Sequence, residues 1–365
     1  MEVTAAVLRD IEAPYSIEQL QLDEPRAGEV LVRIAGAGMC HTDMLARSPG
    51  SAWPKPIVLG HEGSGIVERV GAGVTKVQPG DTVVLSYASC GGCLNCLQGA
   101  PQYCDLLSAL NFAGSRLDGS SPLATLDGDR VAGCFFGQSS FATHALASER
   151  NVVKIDSSGI QLELLGPLGC GVQTGAGAVV NSLALRTGQS IAIFGCGAVG
   201  LAAVMAAKVV GASTIIGVDL HQHRLDLAIE LGCSHVVNAE HEPDVAAAIR
   251  VATGGGVNAS LDTTAVPSVV RQAVGVLLPR GTACLVGAGM QQIVLDGSGF
   301  LMGKTVKGVI EGDAVPDQFI PLMLTWYREG RFPFHKLITR YTLDQIDQAQ
   351  TDCETGAAIK PVFVF

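Results

Sequence analysis

Charge is scarce in this 365-residue chain. Asp, Glu, Lys and Arg make up 16%, aromatic side chains 5%, and the formal net charge is −10. No basic run joins the scattered Lys and Arg residues, so nucleic acid is not expected as a partner. With 48% hydrophobic residues, long disordered segments are not expected either. The length suggests two domains rather than one core.

Two further absences narrow the class. The opening MEVTAAVLRDIE carries Glu2, Arg9, Asp10 and Glu12 where an export signal would need an apolar stretch. A cytoplasmic protein is therefore expected. Charge is also missing between Arg186 and Lys208, in TGQSIAIFGCGAVGLAAVMAA. That raises the question of a membrane helix. Gly195, Gly197 and Gly200 divide a β-rich run from an Ala-rich one, so a strand, a tight turn and a buried helix are expected, and no membrane partner. The chain has 11 cysteines, an odd number, which does not suit a disulfide framework in a reducing compartment.

Residues 1 to about 165 read as short β-runs broken by Gly and Pro, such as EVLVRIAGAG, GSGIVERVG and DTVVLSYA. The turn spacing predicts a barrel-like β domain. From about 172 to 310, strand-like and helix-like segments alternate, which predicts a doubly wound parallel sheet and an α/β protein. PDQFIPLMLTWYREG reads as an amphipathic helix. KPVFVF reads as a strand returning to the first domain.

The sequence GCGAVG places Gly195, Gly197 and Gly200 between a strand and a helix, the context a dinucleotide fingerprint requires. The first glycine makes the turn, the second admits a pyrophosphate, and the third allows close helix–strand packing. Asp219 ends the next strand. Its carboxylate suits a ribose diol and repels a 2′-phosphate, so NAD is expected over NADP, with Arg224 nearby as the counter-argument.

Cys90, Cys93, Cys96 and Cys104 lie within 15 residues. Four thiolates on one loop can close a tetrahedron around a structural zinc. An iron–sulfur cluster is the rival reading. A second set is dispersed. AGMCHTD carries Cys40, His41, Thr42 and Asp43; GHEGSG carries His61 and Glu62; LGPLGCGVQTGAG carries Cys170 and Thr174. Cys40, His61 and Cys170 offer two sulfurs and one imidazole, leaving a fourth position open for catalysis. Asp43 and Glu62 would support them from behind, one of them fixing the His61 tautomer. The bland reading of His61 and Glu62 is a solvated pair on a surface turn.

These motifs occur in the order found in zinc-dependent medium-chain alcohol dehydrogenases, and the chain resembles that family from its first strand to Phe365. Two cysteines and a histidine form the catalytic ligand set of alcohol dehydrogenase itself. FFGQSSFATHAL, LGPLGCGVQTGAG and YREGRFPFHKLI further resemble the aryl-alcohol (benzyl alcohol) dehydrogenases. The resemblance implies a GroES-like β-barrel catalytic domain over 1–171 and 311–365, and a Rossmann NAD-binding domain over 172–310. It implies two zinc ions per chain, one at each of these ligand sets, and a homodimer or homotetramer.

The implied reaction interconverts benzyl-type primary alcohols and aldehydes, by hydride transfer from a zinc-bound alkoxide to NAD. Thr42 would contact the substrate oxygen, with Asp43 and Glu62 behind the metal. Thr174 and Val199 would press on the nicotinamide, with Val286 also at the cofactor. His41 and Lys360 would hold the pyrophosphate. Leu45 stands where many members carry a relay histidine, so His41, a residue type that titrates near neutrality, is expected to serve as outer base. Trp53, Tyr87, Phe112, Phe135 and Phe136 are expected to wall the substrate pocket. The alternatives are an allylic, geraniol-like alcohol, a formaldehyde–thiol adduct, and a zinc-free reductase or binding protein on the same scaffold.

Overall fold

Within the strand Ser16–Leu22, exposed Gln19 and Gln21 alternate with buried Leu20 and Leu22, the period of a half-buried strand. Such strands build most of the first of two compact units. The computed structural model describes residues 1–287, 289 and 291–365. Unit 1 comprises Met1–Cys170, Val315–Pro321 and Leu337–Phe365, and unit 2 comprises Gly171–Ala314 and Leu322–Lys336. The chain after 310 is thus shared between the units, whereas the sequence reading gave all of it to the first.

Unit 1 holds ten strands in its first stretch: β1 (Glu2–Leu8), β2 (Ser16–Leu22), β3 (Glu29–Gly38), β4 (Ile57–Val58), β5 (Glu62–Val70), β6 (Thr82–Leu85), β7 (Leu123–Thr125), β8 (Arg130–Val131), β9 (His144–Ser148) and β10 (Val152–Lys154). One sheet runs β4-β1-β2-β7-β8. The other runs β10-β6-β5-β3 and continues through two late strands, Lys360–Val364 and Ile338–Tyr341. Val362 pairs antiparallel with Gly38, so the late strand KPVFV is seated beside β3. Val30, Leu31, Val32, Phe141 and Phe363 are among the side chains filling the core of this unit.

Unit 2 is built on β11 (Ser190–Phe194), β12 (Thr214–Asp219), β13 (His235–Asn238), β14 (Val257–Asp262), β15 (Leu277–Leu285) and β16 (Thr305–Gly308). All pairs are parallel, in the order β13-β12-β11-β14-β15-β16. The direction of winding reverses at β11, and ligands of such sheets bind at the carboxyl ends of the strands beside that point. The register brings Phe194, Val218, Asp262 and Leu285 level at that end.

Candidate active site

The end of β3 delivers Cys40, which caps the one-turn helix His41–Met44. The start of β5 delivers His61 and Glu62, so Glu62 is the first residue of a strand rather than part of a solvated turn. Cys170 follows the turn Gly166–Gly169. One ligand atom from each of Cys40, His61, Glu62 and Cys170 lies within 4.8 Å of all the others.

Asp43 organises this cluster. Its Oδ1 accepts from His61 Nδ1 at 3.0 Å and from the Gly60 amide at 3.0 Å, and its Oδ2 accepts from the Cys40 amide at 2.9 Å. Both Asp43 and His61 are 0% exposed. With Nδ1 engaged, His61 turns Nε2 into the cluster, where it is buried without a hydrogen-bond partner. A buried ring nitrogen beside two cysteine sulfurs fits a soft divalent metal, which would displace any proton it carries, since an orphaned polar atom is otherwise costly. Cys170's hydrogen bond to Cys40 holds that thiol well below the usual thiol range despite burial, and the Lys360 charge acts the same way. Burial disfavours a charged His61, yet Asp43 beside it raises it well above the usual imidazole range.

Lys360 stands elsewhere than expected. It is 3% exposed, and its ammonium donates to Glu62 Oε1 at 2.9 Å, Glu62 Oε2 at 3.0 Å and the Met39 carbonyl at 3.0 Å. An ammonium has three donors. These contacts use them all, so the lysine balances the buried Glu62 instead of facing a phosphate. Burial pushes Glu62 up from the usual carboxylate range, and Lys360 opposes that push. His41 is exposed. Thr42 is half-buried, with Oγ1 4.0 Å from Cys40 Sγ.

Four of the five proposed pocket aromatics form one cluster on His61. The Phe136 ring stacks on the imidazole with centroids 4.3 Å apart, and Phe135 meets it edge-on at 5.5 Å. Trp53 and Phe112 extend the cluster through ring contacts at 5.1 and 5.2 Å to Phe135 and Phe136. Tyr87 is buried in the same apolar core. Cys134, Phe136 and Ser139 hold left-handed backbone (φ 61°, 51° and 53°), a conformation seldom found away from special sites.

The residue that braces this loop was not singled out from the sequence. Gln138 Nε2 donates to the carbonyls of His61 (3.0 Å) and Ser86 (3.1 Å), while its Oε1 accepts from the Gly63 amide (3.1 Å).

The other cysteine set closes on itself. Ligand atoms of Cys90, Cys93, Cys96 and Cys104 lie within 4.8 Å of one another. The Gly92 and Cys93 amides hold Cys90 down at about 6, and the Asp105 and Cys96 amides lower Cys93. Burial pushes Cys96 up to about 12 and raises Cys104. Four adjacent sulfurs do not all ionise unaided; a zinc ion would neutralise that charge and leave no open position.

In unit 2, Gly195 turns with φ 89°, and a Cβ there would fall 2.3 Å from Thr263 Oγ1. A Cβ on Gly200 would fall 1.8 Å from the Gly195 carbonyl oxygen, which fixes how closely the helix Ala198–Val210 meets β11. Around Gly197 nothing lies within 4 Å of a Cβ position, so the helix N-terminus is open to an anion. That cradle fits a dinucleotide.

Asp219 is 8% exposed; its oxygens accept from the Cys196 amide at 2.7 Å and the His221 amide at 2.9 Å. Arg224 lies 3.9 Å from Asp219, and its Nε is buried without a partner. The backbone of Gly175, next in the chain to Thr174, packs closely on Val199, since a Cβ on Gly175 would lie 1.9 Å from the Val199 carbonyl oxygen. Val286 follows β15 and donates its amide to the Asp262 carbonyl at 3.0 Å.

Comparisons with known proteins fall along the same division. Residues 26–157 match the model of the alcohol dehydrogenase GroES-like domain, and residues 198–328 that of the zinc-binding dehydrogenases. The chain is 50% identical to a geraniol dehydrogenase of Castellaniella defragrans, over 99% of this chain and 97% of that protein. It superposes on a benzyl alcohol dehydrogenase from Acinetobacter calcoaceticus with a TM-score of 0.96 and 43% identity, covering 100% and 99% of the two chains. An alcohol dehydrogenase zinc-binding domain protein from Burkholderia ambifaria gives 0.98 and 48%, with the same coverage.

Proposed function

Because the chain belongs to the zinc-binding medium-chain alcohol dehydrogenase family, with its GroES-like domain and Rossmann-like parallel sheet, we propose that it is a zinc-dependent NAD oxidoreductase interconverting aromatic primary alcohols and aldehydes. The observation that carries the aromatic preference is the Phe136 ring stacked at 4.3 Å on His61, within a wall of Trp53, Phe112 and Phe135. Such a wall buries a flat unsaturated ring beside the metal ligand.

Zinc, when bound, lowers the pKa of an alcohol oxygen toward neutrality, and NAD takes up the hydride. Cys40, His61 and Cys170 hold the metal, and Asp43 keeps the proton on His61 Nδ1. Thr42 Oγ1 receives the substrate hydroxyl proton and passes it to His41 and water. Thr174 and Val199 would press on the nicotinamide, which would accept the hydrogen and two electrons that the alcohol carbon gives up in becoming the aldehyde. Asp219 selects NAD by repelling a 2′-phosphate. Cys90, Cys93, Cys96 and Cys104 hold a second, structural zinc.

A second reading is an allylic terpene alcohol, favoured by the 50% identity to a geraniol dehydrogenase. The test is a turnover screen of benzyl alcohol, geraniol and ethanol with NAD and NADP, with zinc measured on the same sample. The expectation is two zinc ions per chain and the highest kcat/KM for benzyl alcohol with NAD. Equal values for ethanol and benzyl alcohol sink the aromatic reading, and a higher value for geraniol replaces it with the second.

A further inference from the structure

Glu311 is a buried carboxylate, 7% exposed, that belongs to neither cysteine set. It opens a left-handed turn: Glu311, Gly312 and Asp313 have φ of 52°, 65° and 51°. Two of these residues carry a Cβ, so the surrounding structure must hold them there. Asn181 Nδ2 donates to the carbonyls of Gly312 (3.1 Å) and Asp313 (3.4 Å), and Ser182 Oγ donates to Asp313 Oδ2 (2.7 Å). A Cβ on Gly312 would meet the Gln173 and Thr174 carbonyl oxygens at 2.6 and 2.7 Å, so the turn is pressed against the helix Gly171–Gly177.

The consequence is a fixed acid behind a threonine. Glu311 Oε2 accepts from Gln173 Nε2 at 2.8 Å and from Thr174 Oγ1 at 3.4 Å. Thr174 is half-buried. The proposed function sets Thr174 against the nicotinamide ring, and the role of Glu311 rests on that reading. The oxidised ring carries a positive charge and the reduced ring is neutral. A carboxylate fixed in a dry surrounding attracts the cation far more than water would allow. We infer that Glu311 is a positioning residue that orients Thr174 and makes this site hold the oxidised cofactor in preference to the reduced one.

The experiment is equilibrium binding of NAD+ and NADH to the zinc-loaded protein, by calorimetry and by NADH fluorescence. Glu311→Gln keeps the shape and removes the charge. It should weaken NAD+ about tenfold and change NADH less than about twofold. That ratio raises the potential of the bound couple by about 30 mV. Glu311→Asp, which keeps the charge, should retain the NAD+ to NADH ratio. Should Glu311→Gln not fold, Glu311→Asn, which also removes the charge and suits the left-handed backbone, carries the test, with the same selective loss of NAD+ expected. Equal weakening of both forms, or of neither, overturns the inference and leaves the proposed function standing. An intact protein that binds neither form overturns both.

Discussion

Asp43 holds three groups with two oxygens, the His61 ring and the amides of Gly60 and Cys40. Asp43→Asn removes the charge that keeps Nδ1 as donor. Zinc affinity at that set should fall roughly 10- to 100-fold, measured by competition with a chromogenic chelator. Asp219 ties the Cys196 amide of the glycine turn in addition to its proposed role at the ribose. Asp219→Ala should relax the NAD preference toward NADP and also weaken NAD, by steady-state kinetics with each cofactor. His41→Arg should keep cofactor affinity and slow alcohol oxidation near neutral pH, if His41 is the outer base. The grouping of Cys90, Cys93, Cys96 and Cys104 was legible because their spacing is local, whereas Cys40, His61 and Cys170 are far apart in the chain and the fold brings them together. Lys360 was misplaced because its partner Glu62 lies 298 residues away, and no spacing rule reaches that far. Only the fold shows that the lysine neutralises a buried glutamate.

At the scale of elements, the four-cysteine loop and the aromatic loop are stabilised differently. The first has a one-turn helix, Leu94–Leu97, with no buried side chain, so little but metal would hold it. Cys93→Ser should lower the thermal midpoint and release one zinc equivalent, in paired melting and elemental analysis. The second loop is held by Gln138. Gln138→Ala would remove its bonds to the Gly63 amide and the His61 carbonyl, at about 1–3 kcal/mol each. Denaturant unfolding should show the loss, and the benzyl-to-ethanol preference should shrink with it. The motif FFGQSS was read as a family mark, and two of its aromatics as pocket wall. The role of Gln138 was not legible, since its contacts span 52 to 77 residues. Strands β11 to β15 of unit 2 were legible as short runs closed by turn signals, as in Ser190–Phe194 before Gly195, while β16, TVKG with a lysine and no buried residue, was not singled out.

Across the whole molecule, acid should act unevenly. Neighbouring donors hold the carboxyls of Asp81, Asp118 and Glu149 below their usual range, with Asp118 at about 2. All three belong to unit 1. A carboxyl with a lowered folded pKa stabilises above its unfolded value and loses that contribution as pH falls through the folded one. In unit 2, burial raises Asp262, which has the opposite sign and resists acid. Hydrogen exchange from about pH 5 downward should therefore show unit 1 opening first. No helix among the described residues is long and apolar enough to cross a membrane. The late strand Lys360–Val364 carries one more consequence, for the nascent chain. It pairs with β3 and supplies the cation for Glu62, although the other parts of that metal cluster are all made by residue 170. A ribosome therefore finishes the entire parallel sheet of unit 2 before the buried glutamate beside the metal ligands gains its counter-charge. Until then it emits a first unit with an open sheet edge and an uncompensated acid, so the proposed metal site gains its last polar partner only after the sheet of unit 2 has been made.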